Sequence, residues 1–142
     1  MRSTNLIGRT PFGAPGATIK TSELRALIGD GEASASGELP LMLSTNCSNR
    51  LRVTIPGTNF VPGAYRYGVL DDAKRQALKV LVDQLLHGDR TRRVIIFSWN
   101  AVFWDARNLA IELAALKYPN VSWYRGGLEA WDVAGLPVTR LK

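Results

Sequence analysis

The chain holds one thiol, Cys47, and the nearest charges after it are Arg50 and Arg52. Thiolate is the reactive form of cysteine, and cationic neighbours lower the pKa at which it forms. Cys47 is therefore a candidate nucleophile; the plainer alternative is an ordinary loop cysteine, since no motif surrounds it. A second candidate, Ser98-Trp99-Asn100, follows the apolar run Val94-Ile95-Ile96-Phe97. A serine hydroxyl is hardly ionised at neutral pH without a general base, and no histidine stands near Ser98 in sequence. Trp99, Val102, Phe103 and Trp104 make the next loop apolar, suited either to binding a partner or to packing on the protein's own sheet. Asn100 and the N–H groups ahead of Asp105 could hold an anion such as sulfate, but Asp105 in a first helical turn opposes one and suits capping better. Arg125-Gly126-Gly127 could face the same place, because glycine permits close backbone approach. A tight strand-to-helix turn explains those glycines without a ligand.

These groups need elements to hold them. Residues 1–16, with Pro11 and Pro15, read as an extended arm, and residues 17–142 as one domain. Ala17 to Lys20 is a short strand, and Thr21 or Ser22 caps a helix with Glu23 in its first turn. Pro40 to Thr45 and Val94 to Phe97 are buried-strand runs. Ile55-Pro56-Gly57-Thr58 and Val61-Pro62-Gly63-Ala64 are turns. A long amphipathic helix starts at Asp71 or Asp72 and carries Ala77, Leu78, Leu81, Val82 and Leu85 at helical spacing, with Gly88 as its C′ stop. A second long helix reaches about Tyr118, Val121 to Tyr124 is a strand, and Leu128 to Val133 is a short helix. Strands alternating with helices predict an α/β fold: a central, mainly parallel sheet flanked by helices on both faces. In such sheets ligands sit beyond the C-terminal strand ends, which would bring Ser44 to Cys47, Ser98 to Asn100 and Tyr124 to Gly127 to one rim.

Composition narrows the partners. A chain of 142 residues with 46% hydrophobic and 21% charged residues suits one ordinary globule and excludes wholesale disorder. The net charge of +6 favours anionic small molecules or acidic protein surfaces. Nucleic acid is disfavoured, because no recognition helix or stacking platform accompanies the charge. One cysteine and one histidine exclude an intrachain disulfide, a cysteine-rich zinc site and most histidine metal sites. No cofactor motif is present, and no apolar run is long enough to span a bilayer. His87 at a helix C-terminus is read as favourable dipole placement, Arg107 as a solvated or anion-binding helix residue, and Trp123 and Trp131 as packing.

The segment Asn120-Val121-Ser122-Trp123-Tyr124-Arg125-Gly126-Gly127-Leu128-Glu129-Ala130-Trp131 resembles the last strand and helix of a rhodanese domain. Ile19 to Leu24 resembles the opening strand and helix, and Ile55-Pro56-Gly57 the turn where such chains return to the sheet. The nearest subgroup is the one associated with PQQ-dependent catabolism and named for a CXXCW motif. The Pro-rich opening, Val61-Pro62-Gly63-Ala64, Gly88-Asp89-Arg90, and Trp104 with Asn108 ahead of Tyr118 carry that likeness. The resemblance implies a single rhodanese-like domain, and for active members a persulfide-carrying cysteine after the central strand. A gap-free match puts Trp99 at that cysteine and Phe103 at the second cysteine; a shift by one puts Ser98 at the catalytic place. Neither supplies sulfur. The strand end that usually carries an acidic residue in the family reads Leu43-Ser44-Thr45-Asn46 here. The implied function is a degenerate, catalytically inactive rhodanese-like domain used in recognition or regulation through the loop Ser98 to Asp105. Its expected partner is a protein or a small anion such as sulfate, with Trp99, Asn100, Phe103, Trp104, Arg50, Arg125 and Gly126 as binding residues. The alternative is a sulfurtransferase or sulfur carrier using a relocated Cys47. The subgroup implies a periplasmic protein if a leader was removed, and a cytoplasmic one otherwise; the oligomeric state stays open.

Overall fold

In the computed structural model, residues 18–28, 39–45, 53–61, 72–100 and 105–140 are described. The arm 1–16, Cys47, Arg50, Arg52, the turn 62–64, Phe103 and Trp104 lie outside the described residues. In chain order the elements are α1 (Thr21–Ile28), β1 (Leu41–Ser44), β2 (Val53–Thr54), β3 (Thr58–Phe60) and α2 (Asp72–Leu85). Then come β4 (Val94–Phe97), α3 (Asp105–Ala115), β5 (Val121–Trp123), α4 (Gly127–Val133) and β6 (Thr139–Arg140). Four strands form a wholly parallel sheet in the order β3-β1-β4-β5. Ala17 of the expected opening strand lies outside the described residues, and among residues 18–20 one parallel bridge forms, Thr18 with Trp123. β2 and β6 form a separate antiparallel ribbon.

The sheet is covered on both faces because its strands are apolar at successive positions and side chains alternate in direction. Leu41, Leu43, Val94, Ile96, Val121 and Trp123 point to one face, where they meet Leu78 and Val82 of α2 and Leu109 and Leu113 of α3. Met42, Ile95 and Phe97 point to the other, where they meet Leu24 and Ile28 of α1 and Leu128 and Trp131 of α4. The expected sandwich of helix, sheet and helix is the observed one.

Helix ends differ from expectation in detail. The N–H of Lys20 donates to Glu23 Oε1 at 2.9 Å, so a carboxylate in the first turn caps α1, while the Thr21 hydroxyl pairs with Tyr124 Oη at 2.7 Å. α2, α3 and α4 all close with paired 6→1 and 5→2 backbone bonds. These are Gly88 to Asp83 with His87 to Gln84, Tyr118 to Leu113 with Lys117 to Ala114, and Leu136 to Trp131 with Gly135 to Asp132. The left-handed C′ residues are therefore His87, Lys117 and Gly135, with φ of 53°, 73° and 73°. Gly88 sits one place later than the sequence suggests. α3 stops at Ala115 rather than near Tyr118 for the same reason: Lys117 turns left-handed so that Tyr118 can fold into the core.

Tyr118 organises the helix ends at the base of the sheet. Its hydroxyl donates to Asp83 Oδ1 at 2.5 Å, and Arg90 stacks 4.2 Å from its ring centroid while donating to the Leu116 carbonyl at 2.5 Å. Lys79 Nζ reaches the other Asp83 oxygen at 3.0 Å. The Tyr118 hydroxyl first, then Lys79 and Arg90, holds the Asp83 carboxyl below its ordinary value against the opposing effect of burial. Burial and the Asp83 carboxylate together push the Tyr118 hydroxyl well above the usual phenol range. A depressed carboxyl stabilises the fold above its unfolded value of 3.8, and that contribution is lost as pH falls through the lower folded value. Asp83→Asn should therefore cost on the order of 1 kcal/mol at pH 7. Urea unfolding at pH 7 and at successively lower pH should show the gap to wild type closing in acid.

Candidate functional site

Parallel strands share one C-terminal rim, and the ladder persists just beyond each strand. The Val61 N–H donates to Ser44 O at 2.9 Å, Thr45 to Phe97 O at 3.3 Å and Tyr124 to Ile96 O at 2.8 Å. These bonds bring Ser44-Thr45, Ser98-Trp99-Asn100 and Tyr124-Arg125-Gly126-Gly127 to the same end of the sheet.

The root of the loop after β4 is fixed by main chain. The Leu128 N–H donates to Ser98 O at 3.0 Å, and the Glu129 N–H to Trp99 O at 2.9 Å. The Gly127 N–H is taken by Tyr124 O at 3.2 Å. The donors that the first turn of a helix leaves over, and the positive end of its dipole, are thus spent on carbonyls of the protein itself. Such close passage needs glycine: a Cβ on Gly127, where φ is +67°, would lie 2.5 Å from Ser98 O and 2.6 Å from Trp99 O. The close approach read from Gly126-Gly127 is an approach to the chain's own backbone. A Cβ on Gly126 would meet the Ala130 Cβ at 2.7 Å, so helix packing also occupies that position.

Side chains complete the rim. The Ser98 hydroxyl is buried and donates to Asn100 O at 3.2 Å. The chain's single histidine, His87, follows α2 on the lead-in to β4, at the opposite end of the sheet. Trp99 is half-buried and packs on the cluster that contains Leu128 and Trp131. Asn100 Nδ2 donates to Glu129 Oε1 at 3.2 Å, linking the loop root to α4 a third time. Asp105 opens α3 and is buried in its first turn, where a carboxylate suits the helix dipole. Arg125 is exposed. Tyr124 stands edge-on to Trp131, with ring centroids 6.5 Å apart, and burial pushes its hydroxyl above the usual phenol range while the Thr21 bond partly offsets this. Among the described residues the Thr45 hydroxyl at the rim is buried and meets no partner. Its place at a strand end was legible in the sequence, but its unmet hydrogen bond was not. Among the described residues no cluster of ligating side chains could hold a metal ion.

Comparison with protein-family models finds no match, and comparison with curated proteins finds none either. Among solved structures the chain is similar to YnjE, at 21% identity and TM-score 0.63, over 88% of this chain and 31% of that one. It is similar to a thiosulfate sulfurtransferase from Pseudomonas aeruginosa at 23% identity and TM-score 0.57, over 88% and 20% of the two chains. A third likeness, at 17% identity and TM-score 0.58, is to the rhodanese-like domain of the Alr3790 protein from Anabaena sp., over 90% and 80%. The fold is rhodanese-like. The chain spans less than a third of the first two proteins and most of the third, a single domain.

Two glycine substitutions separate the close approach from simple backbone strain. Gly57 has φ of +83° with nothing within 4 Å of a new Cβ, so Gly57→Ala should cost only about 1–2 kcal/mol of left-handed strain. Gly127→Ala adds overlap with two carbonyl oxygens and should cost about 2–4 kcal/mol, read as the difference in denaturant midpoint between the two variants.

Proposed function

We propose that this is a degenerate rhodanese-like domain, without sulfur-transfer chemistry at the loop after β4, that acts in recognition or regulation. The observation that carries this reading is the residue set at the end of β4. Ser98-Trp99-Asn100 stands where the resemblance calls for a persulfide-bearing cysteine, and a hydroxyl cannot store sulfane sulfur. The Ser98 hydroxyl is buried and donates to Asn100 O, and the chain's one histidine, His87, belongs to the other end of the sheet. The contact surface we assign is the loop from Ser98 to Asp105, with Trp99, Phe103 and Trp104 as aromatic anchors for a protein partner. Within rhodanese-like proteins we place the chain nearest the PQQ-associated CXXCW subgroup, on Gly88-Asp89-Arg90, Trp104, Asn108 and Tyr118.

A second reading keeps the chemistry and moves the thiol. β1 delivers Thr45 to the rim, and Cys47 follows two residues later in sequence. Incubation with thiosulfate, followed by intact mass of wild type and Cys47→Ser, decides between the two. We expect no gain in either protein. A gain of about 32 Da confined to wild type, one sulfur atom held as a persulfide, would replace the first reading with a sulfur carrier using Cys47.

A further inference from the structure

The chain that precedes Thr18 enters the fold along the outer edge of β5. Thr18 bridges Trp123 in the parallel sense, and the Ile19 N–H donates to Trp123 O at 3.1 Å. Thr18 and Ile19 therefore run toward the rim, as β5 does, and the residues before them arrive from the opposite end of the sheet. Asn120, just ahead of β5 and three residues back from Trp123, marks that end. In extended chain Pro15 stands level with Asn120, about 10 Å from the bridge.

A cleft of about 240 Å³ opens beside that point. One wall is Leu27, Leu39 and Pro40; the other runs from Thr91 to Arg93 and on to Asn120. The polar wall is already tied into the protein. Arg92 Nε donates to Leu39 O at 2.9 Å, and the Asn120 amide donates to Thr91 O. The Asp89 carboxylate accepts from the Thr91 N–H at 3.0 Å and from its hydroxyl at 2.5 Å, and it interacts with the Arg92 charge. Arg93 is likewise engaged. The apolar wall is not spent in this way, since Leu27 and Leu39 are only half-buried.

We infer that the cleft is a docking surface for the chain's own segment Thr10 to Ala17, with the Phe12 ring against Leu27 and Leu39. This segment, Thr10-Pro11-Phe12-Gly13-Ala14-Pro15-Gly16-Ala17, carries no charge, which suits a cleft whose polar groups are bonded to one another. Its reach also fits. From a chain paired outside β5, across β5 and β4 to β1, is three strand spacings, about 14 Å. The three residues from Pro15 back to Phe12 cover about 10 Å when extended, and the Phe12 side chain covers the rest. Pro11 and Pro15 hold Thr10 and Ala14 in extended backbone, so little freedom is lost on docking. Burial of the ring against the leucines drives the contact. A seated arm closes this end of the sheet to outside ligands. The contact lies far from Ser98 and does not depend on whether Cys47 reacts.

A nitroxide placed at Arg9→Cys in a Cys47→Ser background of the full chain tests the inference through paramagnetic broadening of amide signals. Broadening should be strongest at Leu27, Leu39, Thr91 and Asn120 and should fall off toward Ser98 and Gly127. Adding Phe12→Ala should reduce it severalfold at those four residues. A mixture of spin-labelled chain with ¹⁵N chain that carries no label should show none. Broadening strongest at the rim, even broadening over the whole domain, or no response to Phe12→Ala would overturn the inference. Base broadening that persists in the mixture would overturn it too, since the occupant would then be a second copy of the chain.

Discussion

Two backbone hydrogen bonds, from Leu128 to Ser98 and from Glu129 to Trp99, govern the upper end of this molecule. They join the end of the central strand to the start of the last helix, and they pass so close to Gly127 that no side chain fits there. The position of Trp99, the burial of the Ser98 hydroxyl and the reach of Asn100 to Glu129 all follow from that junction. Each bond also consumes a helix-terminal donor. In α/β folds those donors commonly face a ligand, so a chain that turns them on its own carbonyls has closed one route to anion binding at the rim.

The two ends of the sheet consequently differ in chemical character. At the rim, β4 leads into a buried hydroxyl, a half-buried indole and an amide already paired with Glu129. At the base, Arg92 and Arg93 face Leu27, Leu39 and Pro40 across a cleft. Beside that base, Tyr118, Asp83, Lys79 and Arg90 form a network that ties α2 to the end of α3. The Arg75 to Glu112 ion pair, at 2.7 Å, adds a link from the first turn of α2 to the C-terminal half of α3.

Much of this fold was legible in the sequence because burial writes itself as hydrophobic pattern. Val94 to Phe97 is apolar at every position, as a strand covered on both faces must be, and α2 repeats its apolar residues at helical spacing. β2, β3 and β6 escaped notice because they are two or three residues long and carry Thr54, Thr58, Asn59, Thr139 and Arg140, which show no period. Their pairing is a tertiary fact. The rim's location followed from parallel topology, but the Leu128 and Glu129 bonds did not, since a backbone donor leaves no mark on residue type. Only the Gly126-Gly127 pair hinted at them, and it admitted either a ligand or a turn. Arg92 and Arg93 read simply as charges ahead of a strand; it took the register of β1 against β4 to bring Leu39 beside them.

The two faces of the sheet also differ in how far apart in sequence their parts lie. The face under α2 and α3 draws mainly on residues 78–123, consecutive elements whose contacts close short loops. The face under α1 and α4 joins Thr18 to Trp123, and the ribbon beside it joins Val53 to Arg140. Loop-closure entropy grows with separation, so these are among the costliest connections in the molecule to make and depend most on the rest being in place. The Gly127 junction belongs to this second face. A nascent chain can complete the α2–α3 face once residue 123 has been made, whereas the loop root at Ser98 and Trp99 must wait for α4. The most tightly specified part of the rim is thus assembled by the part of the chain that is synthesised after it.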